Sequence, residues 1–203
     1  MFPPLDDAQA MAVFADMLSV RGDPRGDLAH LHLALENRPG DPRLLRAAEQ
    51  HIARHDRHLL GPLRTSTSLC EFTWQRGYIV EARLKSHAGV DTWSRRGRVE
   101  LPANQKIARA VRELFRLESA RPLQMLSITM PRSASARAVI FSCLDELRRV
   151  RHSLHVLGLF FSDVGGEWST TEDDLGATKE CQLGELLVSA DLAIADAVFD
   201  RLS

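Results

Sequence analysis

His51, His55 and His58 follow one another at spacings of four and three, the interval at which imidazoles on one helix face can share a metal ion. No glutamate follows His51 to make His-Glu-x-x-His, and no third ligand type accompanies the trio. The reading is therefore a polar helix face rich in His and Arg, with no metal. Asp163, Glu167, Asp173 and Asp174 follow the end of an apolar run, where open α/β sheets place ligands. A small α/β enzyme with its site in these loops, around Asp163, is the alternative to a non-catalytic protein. The motifs an enzyme would need are absent: no Gly-x-x-x-x-Gly-Lys-Ser/Thr, no Gly-x-Ser-x-Gly, no Gly-x-Gly-x-x-Gly. The three cysteines, Cys70, Cys143 and Cys181, are far apart and form no Cys-x-x-Cys pair, which reads as reduced, buried thiols. No catalytic residue, cofactor or metal is assigned.

Charge narrows the partners. The 203 residues carry 26 basic and 27 acidic side chains, which argues against nucleic-acid binding driven by bulk charge. Arg148, Arg149 and Arg151 cluster at the end of a helical segment, where positive charge is favourable for structural reasons alone. Two polar stretches combine charge with an aromatic: Trp93 with Arg95, Arg96 and Arg98, and Trp168 beside Glu172-Asp173-Asp174. Both are candidate partner-binding loops. The N-terminus lacks the basic and apolar regions of a signal peptide, and the longest apolar run, 154–161, is too short to cross a bilayer. The expectation is a cytoplasmic protein with no nucleic-acid or membrane partner.

The elements that must position these residues begin with helices. Met11, Phe14 and Leu18 define one face of a helix over 7–19, with Val13 and Met17 beside it. Asp6 or Asp7 caps it and Gly22 ends it. Asp23-Pro24 restarts the chain as a second helix with Leu28, Leu31 and Leu35 inward. Pro39-Gly40 breaks it, and Asp41-Pro42 opens a third helix running to about Leu59, with Leu44, Leu45, Ala48, Ile52 and Leu59 inward. Gly61-Pro62 stops it. Residues 1–68 thus read as a three-helix cap and 69–203 as a β/α body continuous with it.

In the body the period changes. Cys70, Phe72 and Trp74 alternate with Glu71 and Thr73, and Gln75-Arg76-Gly77 turns the chain into a returning strand, 78–84. Segment 85–98 reads as a long loop. A helix over 103–118 (Ile107, Val111, Leu114, Phe115 inward), a strand over 123–130, a helix with the stripe Ile140, Cys143, Leu144, Leu147, a strand over 154–161 and a last helix over 183–202 follow. Leu123-x-x-Leu126-x-Ile128 and Leu154-x-x-Leu157-x-Leu159 share one pattern about 30 residues apart, and Ile79-x-x-Ala82-x-Leu84 is a weaker copy. Such a strand-plus-helix period describes a short, degenerate leucine-rich-repeat-like parallel unit. The asparagine of regular repeats is missing, Met130-Pro131-Arg132 and Phe161-Ser162-Asp163 standing in its place. The outward strand positions are Met125, Ser127 and Thr129, then Val156, Gly158 and Phe160. They form a partner-binding surface, unless a helix covers them and they are core.

Residues 15–35, which include Arg21-Gly-Asp-Pro-Arg-Gly26, followed by Leu60-Gly-Pro-Leu63 and Arg76-Gly-Tyr78, resemble the repeat-companion domain of myxobacteria and planctomycetes. The likeness covers about residues 8 to 84. Phe14 stands for the family's tyrosine, Met17 for its tryptophan and Asp27 for its glutamate. The resemblance implies a cap preceding leucine-rich repeats in a bacterial protein, and implies no catalytic residues. The expected function is non-enzymatic protein binding. By analogy with small repeat-built immunity proteins, one specific role is neutralising a cognate toxin.

Overall fold

A computed structural model describes residues 2–66, 69–85, 103–131, 143, 154–162 and 185–189. The molecule is mixed α/β, with N-terminal helices followed by a mixed sheet. The helices are α1 (Ala8–Val20), α2 (Pro24–Asn37), α3 (Pro42–Arg54) and the single turn α4 (Asp56–Leu59), then a 3-10 stretch over Gly61–Ser66.

The α1–α2 joint follows from its residue types. Gly22, at φ +71°, ends α1: its N–H reaches the Ser19 carbonyl, while the Asp23 N–H reaches back to Leu18. That pair of bonds is a Schellman cap, which requires a left-handed residue at Gly22. Asp23 then caps α2 from its side chain, and Pro24 occupies the first turn at no hydrogen-bond cost. At Gly26 the two helices approach closely. A Cβ there would lie 2.5 Å from the Ser19 nitrogen and 2.6 Å from the Ala15 carbonyl oxygen. Asp7 and Asp41 cap α1 and α3 in the same way.

Two sequence expectations need correction here. The third helix does not run unbroken to Leu59: it stops at His55 and resumes as α4. Leu45 is not inward but 45% exposed, because the buried stripe of α3 passes through Leu44, Ala48 and Ile52, with His51 beside it. On α1, Val13 (66%) and Met17 (37%) are likewise exposed, and Met11, Ala15 and Leu18 carry the contact.

The described strands form one sheet in the order β1 (Cys70–Gln75), β2 (Tyr78–Lys85), β3 (Met125–Pro131), β4 (Val156–Ser162) and β5 (Glu185–Ser189). β1 and β2 are an antiparallel hairpin, and every later pairing is parallel. The strand at Glu185–Ser189 replaces the N-terminal part of the expected last helix. A five-residue run such as Glu-Leu-Leu-Val-Ser does not separate strand from helix by periodicity. Its backbone completes the open edge of β4, with Leu186 beside Leu157.

α5 (Ala103–Arg116) buries Ile107, Val111 and Leu114 with Ala82, Leu84, Leu126, Ile128, Leu157 and Leu159, which are all nearly or fully inaccessible. These are the leucine positions of the sequence pattern. Leu28, Ala48, Leu59, Leu60 and Leu63 join the same cluster, so the N-terminal helices share one core with the sheet. A smaller cluster joins Leu5, Met11 and Leu18 to Tyr78 and Val80.

Candidate functional site

Alternation along the strands puts a second set of side chains on the opposite sheet face. In register they make three rows: Glu81, Met125 and Val156; Arg83, Ser127 and Gly158; Lys85, Thr129 and Phe160. β1 adds Glu71 beside Arg83 and Thr73 beside Glu81. The six strand positions picked from sequence therefore do come together on one face. Met125, Thr129, Val156 and Phe160 are half-buried, and Ser127 and Gly158 are buried.

Gly158 shapes this face. A Cβ built on it would lie 2.6 and 3.0 Å from atoms of the Phe160 ring and 3.3 Å from the Ser127 hydroxyl oxygen. The phenyl ring folds back along its own strand into the space a side chain would fill. Gly158 thus lets a large aromatic lie low across the sheet beside Ser127.

The β1–β2 side of the face is charged, and most of its charge is engaged. Lys85 donates to Glu71 at 2.7 Å, and the Thr73 hydroxyl donates to Glu81 at 3.1 Å. Arg83 is exposed, and among the described residues no carboxylate lies within ion-pair distance of it. Sequence reasoning missed Glu71, Glu81, Arg83 and Lys85 as members of this surface. The period-two alternation of β2 carried the signal, but only the parallel pairing with β3 sets them beside Met125 and Ser127. Trp93, Arg95, Arg96, Trp168 and Asp163 lie outside the described residues.

A second polar constellation surrounds the joint. The Arg25 guanidinium grips the Asp23 carboxylate through Nε and Nη2, lies 5.6 Å from the centre of the Tyr78 ring and approaches Glu118 at 3.7 Å. Burial raises the Asp23 carboxyl, but hydrogen bonds from Arg25 outweigh that and hold it below the usual range. Burial pushes the Tyr78 phenol up to about 12. The histidine trio is dispersed into this scaffold: His51 donates from Nε2 to the Pro24 carbonyl at 2.8 Å, its ring lies 4.5 Å from that of His55, and His58 faces Asp23 at 3.6 Å. Among the described residues no group of three His, Cys, Asp or Glu side chains is placed to hold a metal ion. Cys70 and Cys143 are buried and form no disulfide among the described residues, and burial pushes the Cys70 thiol up to about 11, away from a reactive thiolate. No described helix is long and apolar enough to cross a membrane.

No family model, no curated protein and no solved structure matches this chain. The resemblance to the repeat-companion domain rests on the quoted residues alone.

Proposed function

We propose that the chain is a non-enzymatic protein-binding module that receives its partner on the outer face of the β2–β3–β4 sheet. The observation that carries this reading is the composition of that face. Met125, Val156 and Phe160 offer a low apolar surface bordered by Arg83, which is exposed and has no ion-pair partner among the described residues. Apolar anchors beside an arginine are the residue types that dominate binding energy at interfaces.

The body is a short stack of degenerate leucine-rich-repeat-like β/α units behind a companion-type cap. Support comes from the shared Leu-x-x-Leu-x-Leu pattern and from the consecutive order of the parallel strands. In this reading the cap is a clamp that holds the hairpin, and Arg21–Gly26 is structural text. Neutralisation of a toxin in a bacterial cytoplasm is the specific role by which such a module would act.

The test is co-purification of the full chain from its native host, with the partner quantified by mass spectrometry. Phe160→Ala and Arg83→Glu should each lose a stoichiometric partner while Tm stays within a few degrees of the parent. Retention of the partner by both variants, or a parent that purifies alone, overturns the proposal.

A further inference from the structure

The cap holds the hairpin through two side chains on one turn of α2. His32 and Glu36 meet Arg76 and Gly77, the two central residues of the β1–β2 turn. Both turn residues have positive φ, +46° and +82°, so the turn is of the type that tight hairpins favour. The Gly77 N–H donates to His32 Nδ1 at 3.1 Å. Arg76 donates from Nε and Nη2 to the two Glu36 oxygens, each at 2.7 Å, and from Nη1 to the Leu5 carbonyl. The turn lies so close to α2 that a Cβ on Gly77 would sit 2.5 Å from the Arg25 carbonyl oxygen and 3.2 Å from Ala29.

An imidazole that accepts at Nδ1 carries its one proton on Nε2 and is neutral. Adding a proton at Nδ1 turns the acceptor into a donor aimed at another donor, the Gly77 N–H. The charges nearby offer the imidazolium little: Glu36, on its own helix, is engaged by Arg76, and Arg76 itself is positive. Asp6 and Asp7, from the N-terminal segment, act on Arg76.

We infer that His32 is an acid-sensitive keeper: its protonation releases the hairpin turn from α2 and opens the small cluster of Met11, Leu18, Tyr78 and Val80 behind it, while the parallel sheet stays folded. Burial drives the His32 imidazole from 6.5 down to about 4, with Glu36 pulling weakly the other way. The sign follows. The closed form disfavours the proton and the open form takes it near 6.5, so closure is complete above about pH 6.5 and is lost progressively towards pH 4. With those two values the opening constant rises roughly 100-fold between pH 7 and pH 4. Glu36, whose carboxyl is held low chiefly by its hydrogen bonds from Arg76, adds to the loss only below the ordinary carboxylate range.

The experiment is amide hydrogen exchange on the full chain, with protection factors corrected for intrinsic rates, read together with imidazole nitrogen shifts. Between pH 7 and pH 4 the Gly77 amide should lose protection by roughly 100-fold while the Leu126 and Ile128 amides keep theirs. His32 should hold the Nε2–H tautomer down to about pH 4. His32→Asn, which keeps an acceptor oxygen and cannot titrate, should flatten the Gly77 profile. Titration of His32 near 6.5 with Gly77 still protected overturns the inference. So does simultaneous exposure of Gly77 and Ile128, which would be global unfolding, or an unchanged acid profile in His32→Asn. Should that variant fail to fold, the parent's tautomer and exchange data decide the question unaided.

Discussion

Arg76 is a non-glycine residue held at φ +46°, a region that costs an L-residue about 1 kcal/mol or more. Its guanidinium, bound to Glu36 and to the Leu5 carbonyl, offsets that cost by fixing three segments at once. Glycines do comparable work by having no side chain, and for two different reasons. Gly22 needs only its left-handed φ, since nothing lies within 4 Å of a Cβ there, whereas Gly26 needs the space itself and Gly77 needs both. Gly22→Ala should therefore cost about 1 kcal/mol. Gly26→Ala and Gly77→Ala meet backbone atoms that cannot yield cheaply, and should cost about 2–3 kcal/mol each. Urea denaturation of the three variants tests the ranking. Equal losses at Gly22 and Gly26 would show that backbone conformation, not close approach, governs the joint.

At the scale of elements, two helices start on the same Asp-Pro pair but carry different loads. Asp41 caps α3 and sits otherwise near solvent, so Asp41→Ala should cost about 1 kcal/mol. Asp23 caps α2 and also neutralises Arg25, whose side chain is only 12% exposed. Removing its carboxylate leaves a largely buried guanidinium without its main partner, and Asp23→Ala should cost about 3 kcal/mol. Asp23→Asn keeps a capping oxygen and should fall between the two. Equal midpoints for Asp23→Ala and Asp41→Ala in chemical denaturation would refute the added role of Arg25. The exposed Leu45, Val13 and Met17 belong to this scale too. Each lies within one helical turn of a buried residue, and hydrophobic spacing alone cannot tell a stripe from its margin; the packing of each helix on its neighbours draws that line.

For the whole molecule, one sheet face is core and the other is the proposed binding surface, and stability should register the difference. Leu126→Ala and Ile128→Ala open cavities among residues with no solvent access and should each cost about 3 kcal/mol. Met125→Ala, one position away on the half-buried face, should cost about 1 kcal/mol or less. Similar losses at Met125 and Leu126 in equilibrium unfolding would mean that both faces are core. Much of this architecture was legible in the residues. Capping aspartates, glycine stops and the change of period from 3.6 to 2 are local signals, and they located α1, α2, the hairpin, α5, β3 and β4 because each depends on neighbours in the chain. The shared leucine pattern likewise marked the buried face of the parallel strands. What the sequence could not decide is what depends on contacts distant along the chain. The short apolar run 185–189 became a strand because β4 offered it an edge. His32 lost its ordinary basicity through burial where the hairpin turn, 45 residues on in sequence, meets it. Arg83 became a neighbour of Met125 and Ser127 only through parallel pairing. Local chemistry set the elements and their ends, and tertiary packing chose which of their residues meet.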